Sequence, residues 1–301
     1  MSDLLNERLF ELDRAQIKRA FNRAARGYDK AAILQGEVRT RLLERLELVT
    51  GKLDRVLDLG CGTGHSSAYL AKQFRKATVI ALDIAEEMLR QTRRNQPWYR
   101  KINTVCGDVQ RLPISDNAVD LVFCNLVIQW CNDIDGVFSE FRRVLRPNGL
   151  MIFSTFGPDT LKELRAAWAK VDQYSHVNHF VDMHDIGDAL VRARMQEPVM
   201  QTEHFTLTYS SAFDLMRDLK AIGAHNVTRG RSHGLTGKQR LRSFEKEYEQ
   251  YRRDGKLTAT YEVVYGTAWA PDEQTGAVIS QQGRVGVEEL RRSLRGNREK
   301  S

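Results

Sequence analysis

One stretch constrains this chain more than any other: Val56-Leu57-Asp58-Leu59-Gly60-Cys61-Gly62-Thr63-Gly64. Its apolar residues and Asp58 read as a short buried strand. The alternating glycines read as a turn into a helix that starts near His65. Glycine has no Cβ, so a ligand can approach the backbone of such a turn and the helix N-terminus behind it. The dinucleotide fingerprint requires Gly-x-Gly-x-x-Gly. Here His65 takes the place of the third glycine, and the pattern is Asp-x-Gly-x-Gly-x-Gly. Asp58, Gly60, Gly62 and Gly64 are therefore expected to shape a cofactor-binding turn. A second strand, Ala77–Asp83, ends in an acid placed to accept hydrogen bonds from a ribose diol.

Around this motif the chain alternates strand and helix. Helical periodicity covers residues 4–25, with Leu5, Leu9, Leu12 and Phe21 near one face, and a second helix is expected over 31–49. Gly27 breaks the first helix just before Tyr28. Phe21 and Tyr28 either staple this arm to the core or close it over a ligand. Further strands are expected at Ile102–Cys106, Val119–Cys124 and Leu150–Thr155, with Arg146-Pro147-Asn148-Gly149 as a turn before the last. Helices follow at 160–171 and 185–194. Two alternating strands, Val199–Tyr209 and Leu257–Trp269, enclose two helices at 212–222 and 237–253. The expected fold is α/β: a doubly wound, mostly parallel sheet, with a helical lid in front and a helical cap inserted before the last strand.

The 301 residues suffice for one large domain, and 42% hydrophobic residues is ordinary for a folded chain. No run approaches the roughly 18 apolar residues of a membrane span. The start Met1-Ser2-Asp3-Leu4-Leu5 lacks a signal peptide's basic and apolar regions, so a cytoplasmic protein is expected. Cys61, Cys106, Cys124 and Cys131 form no Cys-x-x-Cys pair and no zinc spacing. They are expected to be reduced, and no metal is expected. The net charge of +7 fits nucleic acid, an acidic surface or an acidic protein. No interleaving of aromatic and basic residues marks a nucleic-acid module.

The glycine turn closely resembles that of the class I S-adenosylmethionine (SAM) methyltransferases. Other segments narrow the resemblance to the malonyl-[acyl-carrier protein] O-methyltransferase family of biotin synthesis, over about residues 16–270. They include Phe21…Ala24-Ala25…Tyr28, Asn125-Leu126-Val127-Ile128-Gln129-Trp130-Cys131, His176-Val177-Asn178-His179-Phe180, and Leu219-Lys220-Ala221-Ile222-Gly223-Ala224-His225-Asn226. Gly230-Arg231 and Thr260–Gly266 extend the match. His179 stands where the family carries arginine. The Asn/Asp-Pro-Pro-Tyr/Phe motif of amide and adenine nitrogen methylation is absent after the fourth strand, as is the Pro-Cys nucleophile of cytosine enzymes.

The resemblance implies a class I methyltransferase fold. It fits a helical arm or lid at 1–50 and the methyltransferase domain at 51–270 with its cap at about 211–255; the tail at 271–301 lies outside the resemblance and is expected to be a disordered basic segment from its Gln, Gly and Arg content. It implies transfer of the SAM methyl to the free carboxylate of a malonyl thioester, leaving S-adenosylhomocysteine. The substrate would be malonyl-acyl carrier protein or malonyl-CoA, handled by a monomer with no nucleic-acid or membrane partner. Cofactor contacts are expected from Tyr28, Asp58, Gly60, Gly62, Gly64, Asp83, Ile84, Asp108, Val109 and Asn125, with Asp108 on the adenine amino group. Tyr28, Trp130, Arg231 and His176 are expected at the reacting end, Arg231 as the cation for the substrate carboxylate. Rival readings are methylation of another small acid or a quinone precursor, and a relative of the complex I assembly factors. For the latter, Phe156-Gly157-Pro158-Asp159-Thr160-Leu161-Lys162-Glu163-Leu164 has some likeness.

Overall fold

The computed structural model describes residues 11–49, 52–224, 226–228, 230, 231 and 237–272. The first turns of the expected N-terminal helix, part of the cap loop and the tail at 273–301 lie outside the described residues. Strands β1 (Arg55–Leu59), β2 (Thr78–Asp83), β3 (Asn103–Cys106), β4 (Val119–Asn125) and β5 (Leu145–Phe156) pair in parallel. Beyond them come β6 (Gln196–Tyr209), the two-residue β7 (Arg252–Arg253) and β8 (Lys256–Trp269). The sheet order is β3-β2-β1-β4-β5-β8-β6, with β8 antiparallel to its neighbours and β7 paired to β8. This is the expected doubly wound sheet, closed by one antiparallel strand.

Strands buried on both faces must be apolar on both, and here successive residues feed opposite cores. Val56, Leu121 and Phe123 face one core, shared with α3 (Ile33–Glu44), α4 (His65–Gln73) and α7 (Lys162–Ala169). Leu57, Leu59, Val122 and Cys124 face the other, covered by α6 (Ile134–Val144) and α8 (Met183–Arg192). Helix α6 shows why these residues fold this way. Asp133 caps it through Gly136 N at 2.9 Å, and Val137, Phe138, Phe141 and Val144 form one fully buried stripe. Each such side chain contributes about 1.5–3 kcal/mol by leaving water.

Several boundaries differ from expectation, among them the end of α3 at Glu44 and the start of β6 at Gln196, and two are instructive. β5 begins at Leu145, and the expected turn at 146–149 sits inside it as a bulge, because Leu145 pairs with Val119 and Leu150 with Leu121. Asn148 takes a left-handed φ of 60° and donates its backbone N–H to Ala270 O. The last cap helix, α10 (Lys238–Tyr248), stops short of residue 253. Asp254 and Gly255, at φ 48° and 75°, form a tight hairpin that turns Arg252–Arg253 back onto β8.

The remaining helices gather at the carboxyl ends of the parallel strands. They are α1 (Arg14–Ala24), the single turn α2 (Tyr28–Ala31) and α9 (Ala212–Ala221), while α5 (Glu86–Asn95) packs against β2 and β3 with only its N-terminus at that edge. Among the described residues no helix is long and apolar enough to cross a membrane.

The glycine turn fixes this arrangement. Gly60 has φ 61°, and a Cβ there would land on Val127 Cγ2; a Cβ at Gly64, φ 89°, would lie 2.9 Å from Thr92 Cα. Gly60→Ala combines left-handed strain with overpacking and should cost about 2–5 kcal/mol. Adding Val127→Ala should recover the packing part only. Denaturant titration of both variants checks this, and equal losses would show that the clash is absent.

Candidate functional site

The carboxyl ends of β1, β2 and β4 open into a cleft holding about 900 Å³ of space, mouth included, within the range of small-molecule sites. Eight expected cofactor residues line it: Gly60 and Gly62 from the turn, Asp83 and Ile84 after β2, Asp108 and Val109 after β3, Asn125 after β4, and Tyr28 from α2. Asp58 and Gly64 do not line the cleft. They act on the turn from behind, and Asp58 is 1% exposed with Ser67 Oγ donating to its carboxylate.

Asp83 ties the motif together. One carboxylate oxygen accepts Gly62 N at 3.0 Å and the other accepts Ala85 N at 2.8 Å. Burial pushes its pKa up to about 6, against the lowering effect of these backbone donors. Burial also raises Asp58 to about 7, with the neighbouring Asp83 adding to the shift. The same environment acts on Tyr28. Burial, then Asp83, drives its phenol well above the ordinary tyrosine value, so it keeps its proton.

The N-terminal arm forms the roof. Asn132 holds the backbone of Leu12 on both sides, at 2.8 and 3.1 Å, and Asp13 N donates to Val227 O in the cap loop. Glu87 N donates to Asn22 at 2.9 Å. Phe21 meets Trp130 edge to face, with centroids 5.3 Å apart. Arg14 ion-pairs with Asp108, whose other oxygen accepts Gln110 N. An adenine amino group at Asp108 would therefore share the carboxylate with Arg14.

A second cavity adjoins the first, and Gln35, Gln129, Trp130 and Phe156 belong to both. Trp130 is thus the dividing wall, and the cofactor side holds Tyr28. His176 lines the second cavity; its ring stacks on Trp168 at 3.8 Å and its Nε2 lies 2.8 Å from Asp172 Oδ1. Its neighbours Val177, Asn178 and Phe180 are buried lining residues, whereas His179 is exposed and lines neither space. Arg231 lines neither cavity. Its Nη1 donates to Thr228 O at 2.9 Å within the loop between α9 and α10.

Sequence reasoning missed three residues at this junction. Gln129 is 9% exposed, its amide nitrogen on Leu126 O and its oxygen facing Thr155 Oγ1. Gln35 and Arg39 stand one helical turn apart on α3, and both line a small polar recess beside Gly62, Thr63 and Asp29. Asp29 there accepts Thr63 Oγ1 at 2.5 Å and lies 3.1 Å from His65 Nε2. The i, i+4 spacing of Gln35 and Arg39 was the available signal.

The buried Asp58 makes a pH prediction. Its folded pKa of about 7 exceeds the unfolded value of 3.8, so the native state holds a proton that the unfolded chain releases. That contribution is fully present below pH 3.8 and is lost as pH rises through about 7, at most about 4 kcal/mol in all. Asp58→Asn is neutral throughout, so its melting temperature should gain on wild type between pH 4 and pH 7 and then run parallel. Parallel profiles across that whole window would refute a protonated Asp58.

Comparison with known proteins agrees with this geometry. Residues 57–153 match the methyltransferase domain family. A putative methyltransferase from Bacillus halodurans C-125 superposes with a TM-score of 0.56 at 18% identity, covering 77% of this chain and 98% of the other. A phosphoethanolamine N-methyltransferase from Haemonchus contortus, solved with S-adenosylhomocysteine and phosphomonomethylethanolamine, gives 0.51 at 17% identity, over 78% and 52%. Both likenesses establish the fold. The malonyl-[acyl-carrier protein] O-methyltransferase of Methylovorus sp. (strain MP688) is 53% identical over 86% of this chain and 90% of its own length. That of Gallionella capsiferriformans (strain ES-2) is 51% identical over 87% and 92%. By these relationships the chain belongs to the malonyl-[acyl-carrier protein] O-methyltransferase family.

Proposed function

We propose that this protein transfers the sulfonium methyl of SAM to the free carboxylate of a malonyl group carried on acyl carrier protein. The products are the malonyl methyl ester and S-adenosylhomocysteine, an early step toward the pimeloyl chain of biotin. It would work in the cytoplasm as a monomer, with malonyl-acyl carrier protein or malonyl-CoA as the substrate. Beyond family membership, the observation that carries this reading is the shared wall. Trp130 and Gln129 border both the cofactor cleft and the second cavity, so a methyl donor and an acceptor can meet there.

The chemistry asks little proton handling of the protein. The carboxylate oxygen attacks the methyl carbon, the carbon–sulfur pair goes to sulfur, and a sulfonium becomes a neutral thioether. A carboxylic acid is ionised at neutral pH, so no general base is required. Catalysis then rests on in-line placement at near-attack distance and on keeping water out. Tyr28 retains its proton and serves as a neutral donor and wall. Arg231 is the proposed cation for the malonyl carboxylate. Gln129, with one amide N–H beyond its bond to Leu126 O, is the neutral alternative on the shared wall.

Mass spectrometry of malonyl carrier protein incubated with enzyme and SAM should show the gain of one methyl, and an unchanged mass would end the proposal. Asp83→Ala should weaken SAM roughly tenfold or more, by loss of a charged acceptor. In the wild type, SAM binding should tighten as pH rises through about 6 and Asp83 ionises; the variant should be flat there. Calorimetry across pH 5–7.5 checks both. Arg231→Ala should leave SAM affinity intact and lower kcat/KM for the malonyl substrate by about 2–4 kcal/mol, and Arg231→Lys should restore only part. If Arg231→Ala changes turnover less than about threefold, the carboxylate is held by Gln129 instead.

A further inference from the structure

The second cavity is larger than the reacting malonyl group requires. It encloses about 2160 Å³, mouth included, against about 900 Å³ for the cofactor cleft. A malonyl group alone is small and anionic, and it gains nothing from an apolar wall. Yet Leu161, Leu164, Trp168, Phe180 and Tyr261 line the space that leads toward Trp130. Polar breaks in that wall come from His176, Asn178 and Asn226. Such a passage suits a long, mostly aliphatic chain interrupted by amides.

The charge at the mouth is one-sided. Among the described lining residues, histidine aside, the charged side chains are Arg23, Arg217 and Lys220, all cationic and all exposed. Arg217 is held by Asp214 at 3.0 Å, whereas Arg23 and Lys220 ion-pair with no described residue. They come from α1 and α9, and Gly223, at φ 75° just past the end of α9, lies against Ala20 of α1. A Cβ at Gly223 would already touch the Ala20 carbonyl at 3.4 Å.

Resting on the methyl-acceptor reading above, we infer that the second cavity is the access channel for a 4′-phosphopantetheine arm. Arg23 and Lys220 at its mouth read the arm's phosphate, the apolar wall takes the chain, and the thioester end arrives at Trp130 and Gln129. Reading the phosphate would fix the arm's depth, and with it the distance between the malonyl carboxylate and the methyl donor. Two cations on a single phosphate also explain why both side chains are left without acidic partners among the described residues.

The test is a binding measurement that needs no turnover. Pantetheine and 4′-phosphopantetheine are titrated by calorimetry into enzyme saturated with S-adenosylhomocysteine. In wild type the phosphorylated arm should bind about tenfold or more tightly than pantetheine. In the Arg23→Ala, Lys220→Ala double variant the advantage should fall below about threefold, whereas Lys246→Ala, an exposed cation on α10, should keep it. Circular dichroism verifies the fold, which exposed substitutions should spare. Equal affinities in wild type, an advantage that survives in the double variant, or one lost equally in Lys246→Ala would overturn the inference. Failure of methyl transfer to malonyl carrier protein would overturn the proposed reaction and leave this binding difference standing.

Discussion

The Asp83 carboxylate holds the glycine turn and the neighbouring strand in one geometry. Its oxygens take Gly62 N and Ala85 N, so the turn after β1 and the N-terminus of α5 share one acceptor. Burying a carboxylate is costly, and it is tolerable here because both oxygens are bonded by backbone donors. Asp58 repeats the arrangement one layer deeper, with Ser67 as donor. Two buried acids under one cleft make a floor of negative potential whenever they ionise. Such a floor favours a ligand that carries a sulfonium and an ammonium group. Burial, with Asp83 adding to it, also keeps the Tyr28 phenol protonated.

The roof is built differently. Among the described residues, two small clusters fasten α1. Leu12, Ile17 and Val227 pack with Phe21 and Trp130, and Ala25, Ala85 and Met88 pack with Phe21 and Tyr28. Phe21 belongs to both clusters, so it joins the cofactor side and the Trp130 side of the roof into one unit. Backbone bonds from Asp13 to Val227 tie that unit to the cap loop. The cofactor side and the Trp130 side of the roof therefore share one support, made of a few part-buried hydrogen bonds and modest apolar contacts. Such elements sit at the low-stability end of a fold.

Local chemistry made the sheet legible. Gly60, Gly62, Gly64 and Asp83 announced the cleft because each position answers a backbone or ligand constraint visible in its own neighbourhood. The strands through Asn125 were legible because burial on both faces demands apolar runs. The misplaced start of β5 had another origin: Pro147-Asn148-Gly149 is a turn, yet flanking pairs with Val119 and Leu121 absorb it into the strand. Asp254-Gly255 carried a hairpin signal that helical periodicity in the preceding residues masked. Contacts set by distant chain segments were not legible. Arg14 on Asp108 and the placing of Gln35 and Gln129 on the same two cavities depend on how distant segments pack, and no local pattern encodes that. Arg231 illustrates the converse. Its chemistry suggested the site, while its observed bond is to a carbonyl in its own loop.

The net charge acquires a physical sense once it is divided by location. An anionic acceptor must approach a donor whose pocket floor carries Asp58 and Asp83, and that floor repels it whenever the acids are ionised. Bringing the acceptor in from the same side as the cofactor would maximise the repulsion. On the proposed reading the two routes are separate: the cofactor cleft has Asp83 on its wall and Asp58 behind it, the second cavity has cations at its mouth, and Trp130 borders both. Aromatic and apolar walls keep the local dielectric low, so attraction between the incoming carboxylate and the bound sulfonium is less screened than in water. That attraction vanishes as the methyl moves, since both charges are neutralised, and the neutral ester then has no electrostatic reason to stay. A cationic surface in this protein therefore serves as the far end of a charge gradient that runs from the mouth to the buried acids, and nucleic acid is not needed to account for it.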